Sequence, residues 1–352
     1  MPSPDLGRLA AEVGLDLVGV AEVGPTPGHD AYRRWLADGF DAGMAYLRRP
    51  DAVRRRADPR EILPQARSVI VVASSYAGAP HPPLPPLHGR VSRYAWGEDY
   101  HRWLLERLER LIARLRETAG DFPCRCYVDT GPVLERAWGL QAGLGFAGKN
   151  AMLIHPRLGS YLFLGVALVG LELTATPAPG LGGCGRCTRC LDRCPTRAIV
   201  APHRLDARRC IAYLTVEHRG PIPEALRPAI GDWLFGCDLC QEACPWNRRP
   251  LAAHAAEEPP PGATLYLPDL LLIDEATFRA RFRRSPIWRA TPTGLARNAA
   301  VVLGNRGDPA ALPYLERAVR LHPSDIVREH ARWAIERIRA AEADFRHDAG
   351  VL

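Results

Sequence analysis

Two runs of closely spaced cysteines constrain this chain more than any other feature. The first run has the form C-x2-C-x2-C-x3-C-P, the second has the form C-x2-C-x3-C-P, and one further cysteine lies between them. In such runs neighbouring thiolates bind the irons of one cubane, and the last cysteine of a run ligates the other cluster. The spacing therefore predicts two 4Fe–4S clusters with crossed ligation. One cluster takes Cys184, Cys187, Cys190 and Cys244, and the other takes Cys194, Cys210, Cys237 and Cys240.

Zinc is the alternative metal, because tetrahedral zinc sites with four cysteine ligands also use C-x2-C pairs. Eight cysteines with two Cys-Pro endings suit zinc poorly, whereas they match the bacterial two-cluster ferredoxin pattern. We therefore expect a ferredoxin-like domain over residues 174–254, which opens with a segment rich in Pro and Gly. Cys124 and Cys126 do not extend the spacing, and we expect them in the core.

Length and composition set the outer limits. The chain has 352 residues, a length that is enough for two or three domains, and its formal net charge is +7. Reduced thiolates without a signal-peptide pattern predict the cytoplasm, and no apolar run reaches the roughly 18 residues of a membrane span. Lys149 is the only lysine among 46 basic residues, so we expect an ammonium group that a guanidinium cannot replace.

The segment 1–173 predicts an α/β domain, because apolar strand patterns alternate with amphipathic helix patterns. We expect strands at 16–23, 68–74, 126–129 and 161–171, and helices at 6–12, 30–47 (mostly helix), 100–118 and 133–144.

The segment 263–352 predicts an all-helical tail, separated from the cysteine-rich part by a Pro-rich stretch. Three amphipathic helices at 295–304, 309–321 and 325–341 resemble HEAT-type helix pairs, which stack and expose a curved binding surface. Its many arginines can pair with phosphates and stack on bases, although a solvated helical face is the simpler explanation.

A glycine-rich segment at 143–148 matches G-x-G-x-x-G and, with Lys149 and Asn150, lies close to a P-loop. Both nucleotide motifs need a strand before and a helix after, and here a helical pattern precedes. We therefore expect no nucleotide there, although backbone could still approach a bulky ligand closely. Two clusters behind an α/β domain suggest a redox cofactor in that domain, either a flavin or a corrinoid. The D-x-H-x-x-G motif of His-ligated cobalamin is absent, which leaves a base-off corrinoid open.

Several further motifs carry a resemblance. They are R-Y-A at 93–95, D-Y-H at 99–101, D-T-G-P-V-L-E-R at 129–136 and G-F-x-G-K-N at 145–150, together with the cysteine runs and the helical tail. Over nearly its whole length the chain resembles the epoxyqueuosine reductases. The resemblance implies a cobalamin-dependent enzyme with two 4Fe–4S clusters that reduces the epoxide on the modified wobble base of certain tRNAs. It also implies tRNA, bound through its anticodon stem-loop, and an unidentified reducing partner. We expect a monomer that does not bind a membrane.

Asp129 is the predicted catalytic residue. It ends an apolar strand before Thr-Gly-Pro, where its carboxyl would face a pocket or, alternatively, cap the next helix. The resemblance implies that it is the proton donor to the epoxide oxygen. We expect partial desolvation to raise its pKa towards neutrality.

Seven residues are predicted to contact the base-off cobalamin: Arg56, Tyr94, Gly148, Lys149, Asn150, Ile154 and Asp238. His101, with Tyr94, could also line the substrate pocket. Two other functions remain open, namely a reductive dehalogenase-like corrinoid enzyme for a small molecule and a ferredoxin-like electron carrier. The second of these leaves the α/β domain without a task.

Overall fold

The structure is a computed structural model that describes residues 5–177 and 182–349, the last six of them by backbone alone. Helices and strands alternate through its first half. In chain order they are α1 (Leu6–Glu12), β1 (Leu17–Glu22), α2 (His29–Ala37), α3 (Ala45–Arg48), α4 (Pro50–Ala57), β2 (Ser68–Ser75), β3 (His88–Val91), α5 (Tyr100–Ala119), β4 (Cys124–Tyr127), α6 (Glu135–Gln141), β5 (Phe146–Ala147), β6 (Leu153–Ile154) and β7 (Leu162–Val169).

A four-stranded sheet in the order β1-β2-β7-β4 forms the centre of this half, and every neighbouring pair is antiparallel. The apolar run of β2 is buried on both faces: Ile70 and Val72 pack on the α5 side, and Val69 and Val71 pack on the α6 side. The predicted mixed α/β architecture is confirmed. Cys124 and Cys126 are half-buried beside the α5 core, with their sulfurs 3.7 Å apart.

Two local predictions differ from the structure. The helix expected over 30–47 ends at Ala37 and resumes as α3, because Gly39 and Ala42 adopt positive φ angles of 68° and 53°. The strand expected to reach residue 129 ends at Tyr127, so that Asp129 lies in the following loop with φ of 56°. Loop geometry, and not the end of a strand, therefore orients its carboxylate.

The cysteine-rich part contains short elements separated by the cysteines. They are α7 (Arg189–Arg193), β8 (Ile199–Ala201), β9 (Arg204–Leu205), α8 (Ile211–Val216), α9 (Arg227–Ile230), β10 (Trp233–Phe235), α10 (Leu239–Glu242) and α11 (Arg248–Ala253). Single 3-10 turns also flank two of the cysteines, at Ala207–Arg209 and Pro245–Asn247.

The tail is mostly helical, as expected. Its elements are β11 (Thr264–Tyr266), α12 (Pro268–Leu271), α13 (Glu275–Phe282), α14 (Pro292–Arg306), α15 (Leu312–Leu321) and α16 (Asp325–Ala349). Helix α14 is buried over most of its length, and at Gly304 an added Cβ would lie 2.8 Å from the Ala334 backbone of α16. The relation of the helical tail to HEAT repeats stays a prediction. No helix in the described ranges is long and apolar enough to span a membrane.

A second sheet joins the three parts of the chain. Strand β3 pairs in parallel with β10 of the cysteine-rich part and antiparallel with β11 of the tail. One apolar core contains Val91, Phe235, Leu267 and Leu295, which come from all three parts. The division into segments 1–173, 174–254 and 263–352 stays a prediction, and the shared core fixes these segments around the site described next.

Candidate active site and cluster sites

Four cysteines from both runs surround one cavity. Cys184, Cys187 and Cys190 of the first run line it together with Cys244, the last cysteine of the second run. This is the grouping that crossed ligation requires. Lys149, Asn150 and Ile154 line the same cavity from the β5–β6 hairpin.

The other four cysteines are also electrostatic neighbours. Burial raises the pKa of the Cys240 thiol, and the nearby charges of Cys210, Cys190 and Cys194 add to the effect. Burial likewise raises the pKa of Cys237, with Cys240 and Cys210 contributing. A buried thiol with a raised pKa keeps its proton until a metal displaces it.

The surroundings of the sulfurs suit iron–sulfur clusters. Backbone N–H groups point at them: Lys149 N–H donates to Cys184 Sγ at 3.4 Å, and Ala198 N–H donates to Cys194 Sγ at 3.2 Å. Such bonds stabilise and tune a bound cluster. Within the described ranges no three His, Cys, Asp or Glu side chains converge on a single-ion site.

Lys149 fastens the first cysteine run to the hairpin. Its Nζ donates to the carbonyl oxygens of Gly185 at 2.8 Å and Cys187 at 2.9 Å. Its own carbonyl accepts the His203 N–H at 2.9 Å. The lone lysine therefore supports the loop that carries two predicted iron ligands, a role that its place in the sequence did not indicate.

The hairpin is tightly packed around Gly148. A Cβ there would lie 2.5 Å from Asn150 Oδ1 and 2.6 Å from Ile154 Cδ1, so that a larger residue would have to displace these two side chains. Asn150 is buried, and its Nδ2 has no hydrogen-bond partner among the described residues. Ile154 is 1% exposed.

Asp238, inside the second cysteine run, is a buried anchor. Its carboxylate accepts the Ser92 hydroxyl, the Arg93 N–H at 2.8 Å and His81 Nε2 at 3.0 Å. The Arg93 guanidinium lies 3.1 Å from Glu242 as well. The carboxylate that was expected to face the corrin is thus hydrogen-bonded within the protein. These hydrogen bonds join the second run to the segment that carries Tyr94.

Tyr94 lies between the second run and Asp129. Its ring centroid is 5.9 Å from that of Phe235 and 6.5 Å from that of Tyr100. Burial raises the pKa of Tyr94, and the charge of Asp129 raises it further. The phenol is therefore neutral and can donate a hydrogen bond inside the site.

Asp129 belongs to a carboxylate–imidazole–carboxylate chain. Asp129 Oδ2 lies 3.1 Å from His101 Nε2, and Asp99 Oδ1 lies 2.5 Å from His101 Nδ1. Asp99 is itself fixed, because it caps α5 and its N–H donates to the Arg284 carbonyl of the tail at 2.9 Å. Asp129 does not cap α6, which begins after Leu134. Sequence reasoning missed Asp99, although the D-Y-H motif contains it.

The charges of the Asp99–His101–Asp129 chain reverse the expected shift in the pKa of Asp129. Burial lowers the pKa of His101, but its hydrogen bonds to Asp129 and Asp99 outweigh burial, and the net shift is upward. The hydrogen bond from His101 lowers the pKa of Asp129 against the opposing effect of desolvation. The predicted rise in the pKa of Asp129 is therefore wrong, because the His101 imidazole donates a hydrogen bond to its carboxylate. Of the two groups, His101 holds the shared proton more tightly.

Arg56 supports the Asp129 loop from behind. It is buried, and its guanidinium donates to the carbonyls of Ala52 at 3.3 Å and Gly131 at 3.4 Å. The guanidinium carbon lies 5.8 Å from the Tyr32 ring centroid.

Glu135 is a second carboxyl near this loop that sequence reasoning missed. Its Oε1 is buried without a partner among the described residues, and burial raises its pKa to about 8. Its only signal was its place in the D-T-G-P-V-L-E-R segment.

Comparisons with known proteins agree with this arrangement. Residues 183–247 match the family model of a 4Fe-4S double cluster binding domain, and residues 56–130 match the one described as "Epoxyqueuosine reductase QueG, DUF1730". An epoxyqueuosine reductase of Pseudomonas aeruginosa is 42% identical over an alignment of 357 positions. The alignment covers 95% of this chain and 96% of the relative.

Two solved structures are also similar over 95% of this chain and 89% of theirs. An epoxyqueuosine reductase with a tRNA-Tyr epoxyqueuosine-modified tRNA stem loop has a TM-score of 0.87 and 32% identity. The Bacillus subtilis epoxyqueuosine reductase, with its aspartate-bearing catalytic loop swung out of the active site, has a TM-score of 0.85 and 31% identity. This chain therefore belongs to the epoxyqueuosine reductase family.

Proposed function

We propose that this chain reduces the epoxide of epoxyqueuosine, at the wobble position of a tRNA anticodon, to the cyclopentene of queuosine. The observation that carries the proposal is the Asp99–His101–Asp129 chain, which opens beside Tyr94 next to the second cysteine run. The relative solved with an epoxyqueuosine-modified stem loop supports the substrate, and the relative with a catalytic aspartate loop supports the role of Asp129.

The reaction needs two electrons and two protons, because the epoxide oxygen leaves as water. Two 4Fe–4S clusters, with the crossed ligands given above, supply the electrons one at a time. A base-off cobalamin in the α/β segment 1–173 would supply a cobalt centre that stores both electrons and acts as a nucleophile.

Buried polar atoms of the chain suit such a cofactor. Glu135 Oε1, Asn150 Nδ2 and the Tyr161 hydroxyl are buried and have no partner within the described residues. The amide side chains of a corrin ring both donate and accept hydrogen bonds, so they could satisfy these atoms. Tyr94 would contact the corrin or the substrate, whereas Arg56 and Asp238 would hold the loops around it.

Asp129 and His101 would deliver the proton. His101 Nε2 holds it 3.1 Å from Asp129 Oδ2, and Asp99 holds the opposite N–H, which fixes the ring. The Asp129 side chain is 65% exposed, so it can reach a bound epoxide oxygen. The Asp129 carboxylate would take this proton from His101 and pass the same proton on to that oxygen.

The helical tail would receive the RNA. Arg289 of the tail lies over the ring of Tyr46, which is 42% exposed, with 5.6 Å to the ring centroid. Burial and Glu217 raise the pKa of Tyr46, and Asp129 adds to that rise, so the exposed ring stands near the catalytic carboxylate. An exposed aromatic ring and an arginine are suited to stack and pair with unstacked nucleotides.

The test is anaerobic turnover of an epoxyqueuosine-containing stem-loop by protein loaded with clusters and cobalamin and reduced chemically. Mass spectrometry of the RNA should detect loss of one oxygen. Absorption and EPR spectra of the same sample distinguish cob(II)alamin from flavin and cluster signals. Loaded, reduced protein that leaves the epoxide intact would overturn the proposal.

A further inference from the structure

The surface over the first cysteine run carries four exposed arginines, which we name the arginine face: Arg186, Arg189, Arg193 and Arg197. Within residues 5–177 and 182–349 none of their guanidinium groups has a hydrogen bond, an ion pair or a ring contact. The acidic residue in this stretch, Asp192, already accepts the Thr188 hydroxyl at 2.7 Å.

Several arginines elsewhere in the chain do pair with an acid. Arg208 pairs with Asp206, and Arg289 pairs with Glu217 through two nitrogens at 2.8 and 2.9 Å. Four like charges on twelve residues repel one another, and Asp192 is the only acid that lies among them in the sequence. A surface of this kind attracts an acidic partner and accelerates its association.

The arginine face lies where electrons would enter. Arg186 and Arg189 are interleaved with Cys184, Cys187 and Cys190 in sequence. Every residue between these three cysteines is exposed, whereas no residue between Cys237 and Cys244 is. The opposite set of cysteines lies next to Asp238 and the buried tyrosines, on the side of Asp129. The first cluster would thus be the outer one.

We propose that the arginine face is the docking site of an acidic protein that carries single electrons on an iron–sulfur or flavin centre. The inference rests on the proposed function, because it names the source of its electrons. In each docking event the reduced carrier loses one electron and the outer cluster gains it, and no bond forms or breaks. Two such events supply the two electrons that one epoxide consumes with two protons.

RNA is the other polyanion that arginines attract. The structure favours the carrier here, because the arginines are interleaved with cluster ligands. On the side of Asp129, where the proposed nucleotide would bind, Arg289 of the tail lies over the exposed ring of Tyr46.

The experiment uses the cluster-loaded full chain and an acidic plant-type two-iron ferredoxin as the probe. The variant is Arg186→Glu/Arg189→Glu. The matched control is Arg110→Glu/Arg114→Glu on α5, which changes the charge equally on the opposite face of the central sheet. Calorimetry measures the affinity for oxidised ferredoxin at low and high salt. Stopped-flow absorbance measures cluster reduction by reduced ferredoxin and, separately, by photoreduced deazaflavin, which is uncharged.

We expect the affinity of the variant for ferredoxin, and its rate of reduction by ferredoxin, each to fall about tenfold or more, because electrostatic steering effects span 10- to 10³-fold. The control should match the unmodified protein, and deazaflavin should reduce all three alike. If iron content falls in the variant, Arg193→Glu/Arg197→Glu replaces it.

Unchanged ferredoxin binding and reduction would overturn the proposal. So would a loss of affinity for the tRNA stem-loop with unchanged ferredoxin kinetics, since the face would then belong to RNA. Neither measurement uses epoxyqueuosine, so failure of the docking site and failure of the proposed substrate are separable.

Discussion

The two cysteine runs have nearly the same spacing but very different surroundings. The first run lies near the surface among unpaired arginines, and its acidic residue, Asp192, is exposed and bonds only to Thr188. The second run is packed inside, where its acidic residue, Asp238, is 1% exposed and accepts three hydrogen bonds. Spacing therefore predicts which cluster each thiolate can bind, whereas the tertiary surroundings decide which run is exposed and which is packed inside.

Replacing Cys194 tests the comparison most severely. Crossed ligation predicts that Cys194→Ala removes the cluster held by Cys210, Cys237 and Cys240, although Cys194 belongs to the first run. About half of the iron and all turnover should be lost. Iron analysis with EPR of the remaining cluster is the measurement. Loss of the cluster bound by Cys184, Cys187 and Cys190 instead would show that the ligands are not crossed.

Asp129→Asn should disable proton delivery to the epoxide and leave both clusters and the arginine face intact. Turnover should fall roughly 10²–10⁴-fold, because an amide cannot deliver a proton as a carboxyl does. Iron content, corrinoid retention, reduction by ferredoxin and stem-loop affinity should stay unchanged. Normal turnover would remove Asp129 from the mechanism, and joint loss of cofactor would assign it a structural role.

The pH profile tests where the proton resides. The raised pKa of His101 means that its bonds stabilise the fold below its unfolded pKa of about 6.5, and that this contribution is lost as pH rises through the folded value. The lowered pKa of Asp129 means that its contribution is present above about 3.9 and is lost as pH falls through the folded value. Because the proposed reaction takes its proton from His101, turnover should decline as pH rises through the folded pKa of His101.

His101→Gln is the variant for this test. It should remove the alkaline decline and slow turnover about tenfold or more at mildly acidic pH. An NMR titration of the His101 ring in substrate-free protein supplies an independent readout. An alkaline limb that persists in the variant would assign that limb to another group.

The two acids inside the cysteine runs form a matched pair. Asp238→Asn should destabilise the protein by about 1–3 kcal/mol, because buried donors of Ser92, Arg93 and His81 lose a charged acceptor. Asp192→Asn should change stability by no more than about 0.5 kcal/mol, because its side chain is exposed. Anaerobic melting temperatures of both variants provide the measurement, and equal shifts would contradict the difference in burial.

Lys149→Arg should have the smallest effect. It keeps the charge, but a planar guanidinium replaces the ammonium that bonds the carbonyls of Gly185 and Cys187. Loss of about one hydrogen bond should speed iron release from the outer cluster to a chelator about fivefold. Reduced cobalamin retention with normal iron release would instead support the original prediction of a corrin contact.

Much of the local structure could be predicted because its signals are local. The continuous apolar run at 68–74 became β2 (Ser68–Ser75), and the amphipathic pattern at 100–118 became α5 (Tyr100–Ala119). The helix expected over 30–47 failed because two positive-φ residues outweighed its apolar periodicity. The family likeness rested on short motifs that survive in the chain as contiguous letters.

The sequence by itself predicted the ligand set of the clusters, and it determined the mixed α/β pattern and the candidate aspartate, because each signal lies in residues that are close in the chain. Tertiary structure alone decided what those residues contact. His101 meets Asp129 across 28 positions, Lys149 reaches Gly185 across 36, and Ser92 meets Asp238 across 146. A pKa depends on the charge beside a group in space, and sheet topology brings that charge there. For this reason Asp129 could be predicted from its motif, but the lowering of its pKa and its contact with His101 depend on the folded chain.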